Sequence, residues 1–385
     1  MNNRERALAI LNYENYDRMP VFYFTFWKET IWKWVQEGHL TEAEAEDVNH
    51  GCSVIGKKLG FDCMWPDLYL PDFPSYNSGL YPPFEERVLE VMPDGTRKVL
   101  DGDGVVILKK EGSQGIPAEI DHTLKDRESW EEHYLPRLQF TEDRFMKTTV
   151  GMKEIPFGGG GLEYLQKGVW EDPFGLNIGS LYGVLRNWMG LTGISYLQAD
   201  DPDLLDEMID TVANLCYDGV KWLLDKGCRF DMCHFWEDIC FNSGPLVNPT
   251  FFRNRVGPHY RRITELLSRH GIRNIEVDSD GIIDTLIPAW LENGVNIMFP
   301  VEAGSAYANI KPWREKYGRQ VRGVGGMAKR VFAYDYAAID AEIERLKPLV
   351  DLGGYIPSPD HGIPPDAKWE NVQYYCEKMR KTFQH

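Results

Sequence analysis

The sequence lacks the features of several common protein classes. Its 7 cysteines are an odd number and form no CxxC pair, which favours reduced thiols over a disulfide framework. No run approaches the roughly 18 apolar residues that a membrane span requires, and the polar start MNNRERALAI has no signal-peptide core. Lys and Arg number 42 against 59 Asp and Glu, and the net charge of −17 disfavours nucleic acid and anionic membranes as partners. We therefore expect a cytoplasmic globular protein.

Two catalytic signatures are also missing. No GxGxxG fingerprint follows the first predicted strand, which disfavours a doubly wound nucleotide-binding sheet, and no GxSxG motif points to a Ser-His-Asp hydrolase. Aromatic residues, by contrast, make up 13% of the chain. Such rings either fill a core or line a pocket for a flat apolar ligand, and composition alone leaves both possibilities open.

From residue 174 onward, predicted strands alternate with predicted helices. The strands lie at 174–180, 229–236, 273–279, 295–301, 320–326 and 352–356, and the helices at 181–189, 203–226, 250–270, 282–293, 307–317, 335–349 and 366–382. Two earlier strands, at 21–27 and 62–68, follow a helix at 3–13 and bring the strand count to eight. This α/β pattern predicts a single (β/α)8 TIM barrel over residues 1–385 with an N-terminal helical extension, and a doubly wound sheet is the alternative.

Residues 85–120 interrupt this pattern. The pieces ERVLEV, RKVLD and VVILKK alternate apolar and polar residues, and Asp94-Gly95 between the first two is a hairpin signal. We therefore expect an inserted β-hairpin region, an antiparallel ribbon at 85–120 that lies outside the barrel repeat.

Acidic residues and histidines gather at the predicted strand ends, where barrel enzymes place their active sites. Asp278 and Asp280 are two residues apart, so both lie on one side of the backbone and repel each other unless a cation, a proton or an arginine is near. Asp280 could instead cap a helix that starts at Ile282. The candidates at the strand ends are His234, Glu237, Asp238, Glu276, Asp278, Asp280, Glu302 and His361.

His361 lies in a Pro-rich turn between Asp360 and Gly362, where a histidine has little packing role. It is either satisfied by local backbone or acts as a metal ligand or general acid. Neutral imidazole together with carboxylates suits zinc, which accepts nitrogen and oxygen ligands. Cys233 and His234 are adjacent on a strand and point to opposite sides, and Cys233 is expected to be the buried one.

The last barrel turn resembles that of the uroporphyrinogen decarboxylase superfamily. The resemblance rests on these segments: RERALAILNYENYDRMPV at 4–21, GPLVNP at 244–249, ENGVN at 292–296, Gly325-Gly326, GYI at 354–356, DHGIPP at 360–365 and WEN at 369–371. It runs over nearly the whole chain and is densest at 229–376. It implies a single (β/α)8 barrel and one of two activities, which are cofactor-free decarboxylation of uroporphyrinogen and zinc-dependent methyl transfer to or from a corrinoid protein.

The residues favour the methyltransferase branch of the superfamily. The decarboxylases carry an arginine-rich N-terminal motif for a polycarboxylated tetrapyrrole, whereas residues 22–27 here read FYFTFW. The methyltransferases use a His-x-Cys pair and a later Cys as zinc ligands. Asp278-Ser279-Asp280-Gly281 stands in place of the first pair, and His361 stands at the third ligand, so the thiolates are missing. An oxygen-rich site would leave zinc more Lewis acidic, which suits the branch members that cleave aryl methyl ethers.

The resemblance therefore implies a zinc-dependent O-demethylase methyltransferase. It would move a methyl group from a methoxylated aromatic to the cobalt(I) corrinoid of a partner protein, because the chain has no DxHxxG corrinoid signature. The implied zinc ligands come from Glu237, Asp278, Asp280, Glu302 and His361. The implied substrate-binding residues are Tyr23, Phe24, Trp27, His234 and Trp236. The implied proton donors to the phenolate are Tyr307, Tyr355 or a bound water.

Two other interpretations stay open. The first is a metal-free lyase of the decarboxylase type, which acts on an aromatic or tetrapyrrole acid and needs a cation in the mouth to hold a carboxylate. Arg322 and Lys329 are its candidates. The second is a binding protein in which the acids hold a cation without turnover.

Overall fold

The structure is a computed structural model that describes residues 1–46, 54–70, 78–110, 117–146, 148–150, 155–304 and 308–384. Most of its longer strands are short runs of buried residues, as expected for strands covered on both faces. The strands, in chain order, are β1 (Phe22–Tyr23), β2 (Cys63–Met64), β3 (Tyr69–Leu70), β4 (Arg87–Val91), β5 (Arg97–Leu100), β6 (Val105–Lys109), β7 (Ala118–His122), β8 (Thr149–Val150), β9 (Ile155–Pro156), β10 (Gly175–Gly179), β11 (Met232–Trp236), β12 (Cys240–Phe241), β13 (Gly244–Pro245), β14 (Asn274–Asp278), β15 (Ile297–Val301), β16 (Arg322–Met327) and β17 (Tyr355–Pro359).

Several helices, including α1, α9 and α14, begin at a polar side chain that caps the first turn. Asp201 accepts a hydrogen bond from Leu204 N at the start of the longest helix, and Pro202 occupies its first turn, where a missing N–H is harmless. The helices are α1 (Asn3–Leu11), α2 (Lys28–Gln36), α3 (Glu42–Glu46), α4 (Val54–Leu59), α5 (Arg127–Ser129), α6 (Asp143–Met146), α7 (Gly161–Lys167), α8 (Gly183–Asp200), α9 (Pro202–Asp225), α10 (Pro249–Phe251), α11 (Gly257–Arg269), α12 (Ile287–Glu292), α13 (Ile310–Tyr317), α14 (Tyr336–Val350) and α15 (Trp369–Thr382).

A seven-stranded parallel sheet carries the architecture. Its strands lie in the order β17-β16-β15-β14-β11-β10-β3, and β1 and β2 form a separate parallel pair. The order follows the chain without the reversal that defines a doubly wound sheet, so that alternative is wrong. From β10 onward, at least one helix connects each strand of this sheet to the next, as the alternation in the sequence predicts.

The parallel α/β arrangement is confirmed, and a closed ring of hydrogen-bonded strands is not detected among the described residues. The six strands predicted from residue 174 onward are all present. The strand predicted at 21–27 is reduced to β1, and the one at 62–68 is replaced by β2 and β3, which a 3₁₀ turn separates. Near the end of the sheet, Phe26 forms an isolated parallel bridge to Ile363.

An antiparallel sheet of four strands, β4 to β7, occupies the segment for which the sequence predicted a ribbon. Asp94 closes its first hairpin by accepting hydrogen bonds from the backbone N–H and the hydroxyl of Thr96. Strand β4 is exposed along its whole length. The organisation of the chain as one barrel domain remains a prediction.

Large rings dominate the core between the sheet and its helices. The side chains of five tryptophans, Trp34, Trp65, Trp130, Trp188 and Trp290, are completely buried. Each contributes about 2 to 3 kcal/mol from buried apolar surface, so core packing accounts for much of the aromatic content. In the part of the chain that the structure describes, no helix is both long and apolar enough to cross a membrane.

Candidate active site

Side chains from neighbouring strands meet at the carboxyl ends of the parallel sheet. Trp236 of β11 lies opposite Asp278 of β14, and Asp278 lies opposite Phe299 of β15. Residues that follow these strands therefore emerge at one edge, as in barrel enzymes. Four of them form what we call the mouth cluster: Asp238, Asp278, Asp280 and His361.

A buried polar chain leads up to the mouth cluster from inside the sheet. Glu276 is fully buried, and its two oxygens lie 2.9 Å from His234 Nδ1 and 2.9 Å from Trp65 Nε1. The His234 ring lies against Tyr69, with centroids 4.7 Å apart. On its other side His234 Nε2 is 4.0 Å from Asp278 Oδ2. His234 thus links a satisfied buried carboxyl to the first acid of the mouth.

The carboxyls of the mouth cluster repel one another. Burial, together with the charges of Asp280, Glu276 and Asp238, raises the pKa of Asp278 well above its usual value. Burial and Asp280 also raise the pKa of Asp238, although Arg186 and His361 oppose the shift. The backbone of Asp238 has a φ of 45°, a conformation that costs a non-glycine residue energy and that is common at functional sites.

Asp280 does not cap a helix. α12 begins only at Ile287, so the interpretation of Asp280 as an N-cap is wrong. Its Oδ1 atom is buried and has no hydrogen-bond partner, and its Oδ2 atom is 3.5 Å from His361 Nε2. A buried acceptor without a donor costs about 1 to 3 kcal/mol. This cost indicates a functional role for Asp280, because the position does not stabilise the fold.

An aromatic wall stands beside the mouth cluster. The His361 ring stacks on Phe24 at a centroid distance of 4.7 Å, and Phe24 stacks on Phe299 at 5.1 Å. Trp27, which is 37% exposed, lies 6.5 Å from His361. The predicted substrate residues Phe24 and Trp27 are therefore at the mouth, and Trp236 is at the adjoining end of β11.

Glu237 has a structural position instead. Its buried carboxylate accepts hydrogen bonds from Ser180 Oγ, from the N–H groups of 181–183 and from Tyr260 Oη, which occupies both oxygens. It thereby anchors the start of α8, where the N–H groups have no helical partner. Gly183 permits this approach, since a Cβ there would lie 1.8 Å from Glu237 O. Burial raises the pKa of Glu237 despite these donors.

Four further predicted residues lie apart from the mouth cluster or outside the description. Glu302 accepts a hydrogen bond of 2.9 Å from Gly281 N and so supports the loop after Asp280. Tyr23 is buried among Phe26 and Phe61. The completely buried Tyr355 hydroxyl donates to Gly325 O, and its pKa is raised by burial, so it does not reach the mouth. Tyr307 lies outside the described residues.

The cations named for a lyase are placed differently from each other. Arg322 starts β16, at the opposite end of the strand from the mouth, and its Nε donates to Leu11 O. Lys329 follows β16, and its charge opposes the burial that raises the pKa of Asp360. Sequence reasoning missed Arg186, whose Nη2 is 3.7 Å from Asp238 Oδ2. The signal was available, because Arg186 falls in the first turn after the strand predicted at 174–180.

The residues do not form a ready zinc site. In the described part of the chain, no three of its His, Cys, Asp and Glu side chains are grouped so that they could hold a metal ion. Carboxylate and imidazole donors are of the right type, and Asp280 has an orphaned oxygen. Burial raises the pKa of Cys240 to about 12, so this thiol is neutral. As arranged, the described residues of the site do not fit zinc.

Comparisons with known proteins agree with this fold. A methyltransferase from Methanosarcina mazei superposes with a TM-score of 0.60 at 14% identity, covering 99% of each chain, which shows a shared fold. A protein described as a vitamin-B12 independent methionine synthase from Listeria monocytogenes reaches a TM-score of only 0.38 at 13% identity, with 96% of this chain and 98% of that one covered, too low to bear on the fold. No curated protein matches. The model of the uroporphyrinogen decarboxylase (URO-D) family matches residues 188–382, just over half of the chain, and the protein belongs to that family.

Proposed function

We propose that the protein is a methyltransferase that removes the methyl group of a methoxylated aromatic and passes it to the cobalt(I) corrinoid of a partner protein. The observation that carries the proposal is that an aromatic wall and a cluster of mutually repelling carboxyls share one strand edge. Family membership and the fold shared with a methyltransferase support it. We also propose a full eight-stranded barrel, in which β1 is the eighth strand and β2 and β3 count as one.

The aromatic wall suits a flat donor. Phe24 is already stacked with both Phe299 and His361, so the donor ring would stack on the exposed Trp27 at the edge of this group. Aromatic pairs gain about 0.5 to 1.5 kcal/mol beyond the apolar area that they bury. Such stacking holds the ring of the donor and leaves its ether oxygen free to face the carboxyls.

The carboxyls supply what the leaving oxygen needs. When the methyl–oxygen bond breaks, its electron pair goes to the oxygen and the methyl carbon goes to the acceptor. The oxygen then needs a proton, and Asp278 is the group best placed to give it, because its surroundings favour the protonated form. His234 lies behind Asp278 and can return a proton to it. A positioned general acid typically contributes about 10² to 10⁴ in rate.

Arg186 gives the lyase interpretation one observation in its favour. That interpretation needs a cation at the mouth, and Arg186 is there although Arg322 is not. A lyase would release carbon dioxide from an aromatic acid with no methyl acceptor present. This difference in products separates the two functions.

The deciding experiment follows methyl transfer from a set of methoxybenzenes and methoxybenzoates to reduced cob(I)alamin, used as a minimal acceptor. We expect a demethylated phenol from the parent protein and a rate at least about 10²-fold lower in the Asp278→Asn variant. Asp340→Asn, on the exposed face of α14 beside Lys378, is the matched control and should be unchanged. If the protein releases carbon dioxide from a methoxybenzoate and forms no phenol from any of the ethers, the methyltransferase proposal is wrong and the lyase is favoured.

A further inference from the structure

Arg186 is a cation that the methyl-transfer scheme does not use. It lies in the first turn of α8, directly after the segment 180–183 that Glu237 holds at the carboxyl end of β10. Its side chain is 18% exposed, so most of it is enclosed at the edge of the mouth. A cation near a helix N-terminus opposes the helix dipole, which makes the position electrostatically unfavourable without a compensating anion.

The anion present is held only loosely. Arg186 Nη2 and Asp238 Oδ2 are 3.7 Å apart, which is longer than a hydrogen bond. The Nε atom of Arg186 is buried and has no hydrogen-bond partner. An unpaired buried N–H of this kind is costly, and on a guanidinium it is one of five donors in a rigid fork.

Two other enclosed arginines show what a structural role looks like in this chain. Arg144 donates through Nε and Nη1 to the carbonyl oxygens of Gln139 and Gly79. Arg314 also has a buried Nε without a partner, but its Nη1 and Nη2 donate to the carbonyl oxygens of Leu352 and Gly353 at 3.0 Å each. Both guanidinium groups tie backbone segments together. Arg186 instead points its charge at a mouth-cluster acid that it does not reach.

We propose that Arg186 binds the carboxylate of an aromatic acid in the mouth, using its unpaired Nε and the neighbouring Nη2 as a two-pronged donor. Side-on pairing of guanidinium and carboxylate is the geometry in which such a fork is satisfied. The inference rests on the proposed function for its setting and narrows the donor to methoxylated aromatic acids. Because the chain carries a net charge of −17, an anionic ligand needs a local cation of this kind.

The test is a binding comparison that requires no acceptor and no turnover. Calorimetry measures the affinities of 4-methoxybenzoate and of its neutral isostere 4-methoxybenzamide for the parent and for the Arg186→Gln and Arg186→Lys variants. The control is Arg127→Gln, a substitution on the surface where the side chain is 42% exposed. We expect the parent and the control to bind the acid about 10- to 100-fold more tightly than the amide. Arg186→Gln should abolish that preference with amide affinity unchanged, and Arg186→Lys should keep only part of it, because an ammonium lacks the fork.

Each other outcome has a defined meaning. Equal affinity for acid and amide in the parent, no binding of either, or a preference that survives Arg186→Gln would overturn the assignment and leave Arg186 as the counter-ion of Asp238. Weakening of both ligands alike by Arg186→Gln would do the same. Acid binding that depends on Arg186, without demethylation when cob(I)alamin is added, would sink the methyltransferase and keep the carboxylate site. Demethylation of neutral ethers alone, without binding of the acid through Arg186, would refute the carboxylate site and keep the methyltransferase.

Discussion

The two ends of the parallel strands treat their acids in opposite ways. Where strands begin, three acids are each paired with an arginine: Arg4 lies 2.8 Å from Asp231, Arg6 lies 2.7 Å from Asp17, and Arg18 lies 2.8 Å from Asp62. Where strands end, Asp238, Asp278 and Asp280 face one another. The first arrangement lowers the pKa values of Asp17 and Asp62, and the second raises those of Asp238 and Asp278.

The difference separates stability from chemistry within one sheet. Hydrogen bonds from Arg18 and Val21 and the charge of Arg380 lower the pKa of Asp62, although burial opposes them. No arginine does this for Asp278, and burial and its neighbours raise the pKa instead. Acids that repel one another are a cost to folding, and such costs are retained where a site needs them. The predictions below test this division, beginning with the largest effect.

Removing an acid from the paired end should destabilise the protein most. Asp62→Ala leaves Arg18 and Arg380 without their carboxylate and Val21 N without its acceptor. We expect a loss of about 2 to 4 kcal/mol in the free energy of unfolding, measured by urea denaturation. Glu377→Ala, which removes an exposed pair with Lys381, should change the same quantity by less than about 0.5 kcal/mol. Equal effects of the two substitutions would refute the contrast.

Glu237 belongs with the paired acids in spite of its place beside the mouth. Glu237→Gln replaces one acceptor oxygen with a donor among groups that all donate, such as Ser180 Oγ and Gly183 N. We expect a loss of about 2 to 3 kcal/mol in unfolding free energy, measured by urea denaturation. A folded variant of parental stability would show that the anchor at α8 is dispensable.

The pH dependence should reveal the sign of the Asp62 shift. Its folded pKa is lowered, so its contribution is fully present above the unfolded pKa of about 3.9 and is lost as the pH falls through the folded value. The stability difference between the parent and Asp62→Asn should therefore shrink steadily as the pH falls from about 5 toward 2. Urea unfolding at each pH measures it. A difference that grows on acidification would mean that the pKa is raised.

An amide at the repelling end should have the opposite effect on stability. Asp278→Asn replaces a carboxyl whose pKa is raised with an amide that is neutral without taking up a proton, so we expect the variant to be about 1 kcal/mol more stable at neutral pH while losing methyl transfer. Thermal unfolding in the presence of a chelator measures the stability without a metal. Loss of stability would show that Asp278 is paired in a way that the geometry does not indicate.

The smallest effect is expected for the zinc content of the purified protein. Because no three described side chains of the metal-binding types are grouped to hold an ion, we expect purified protein to retain zinc well below stoichiometric levels. The measurement is elemental analysis of the parent beside an Asp280→Ala, His361→Ala double variant. Stoichiometric zinc in the parent that disappears in the variant would show that the mouth cluster closes around a metal and would restore the zinc-dependent mechanism.

The sequence predicts the parallel sheet well because its signal is local. Buried apolar runs between amphipathic helices predict β10, β11, β14, β15, β16 and β17 but not the short β12 and β13, and Asp94-Gly95 predicts the first antiparallel hairpin. The N-terminal strands were less predictable, since FYFTFW is apolar throughout although only Phe22 and Tyr23 pair with another strand. Closure of the sheet depends on such long-range pairing, which periodicity does not contain.

The site was predictable by position along the strands and not by direction of the side chains. Asp278, Asp280 and His361 follow strands and do gather, as strand-end reasoning expects. Glu237 follows a strand as well, but Gly183 lets the start of α8 approach closely, and the N–H groups there bind the carboxylate. Tyr355 begins its strand instead of ending it, so its hydroxyl is buried at Gly325. Asp280 failed as a cap because residues 281–286 separate it from Ile287, where α12 begins.

The anchor formed by Glu237 has a mechanical consequence. It ties the residue next to Asp238 to the start of the helix that carries Arg186, through hydrogen bonds of 2.7 Å to Gly183 N and 2.9 Å to Leu181 N. The cation and the acid on the two sides of the mouth are thus mounted on one rigid frame. A ligand that draws Arg186 toward itself would therefore pull, through these hydrogen bonds, on the residue beside Asp238.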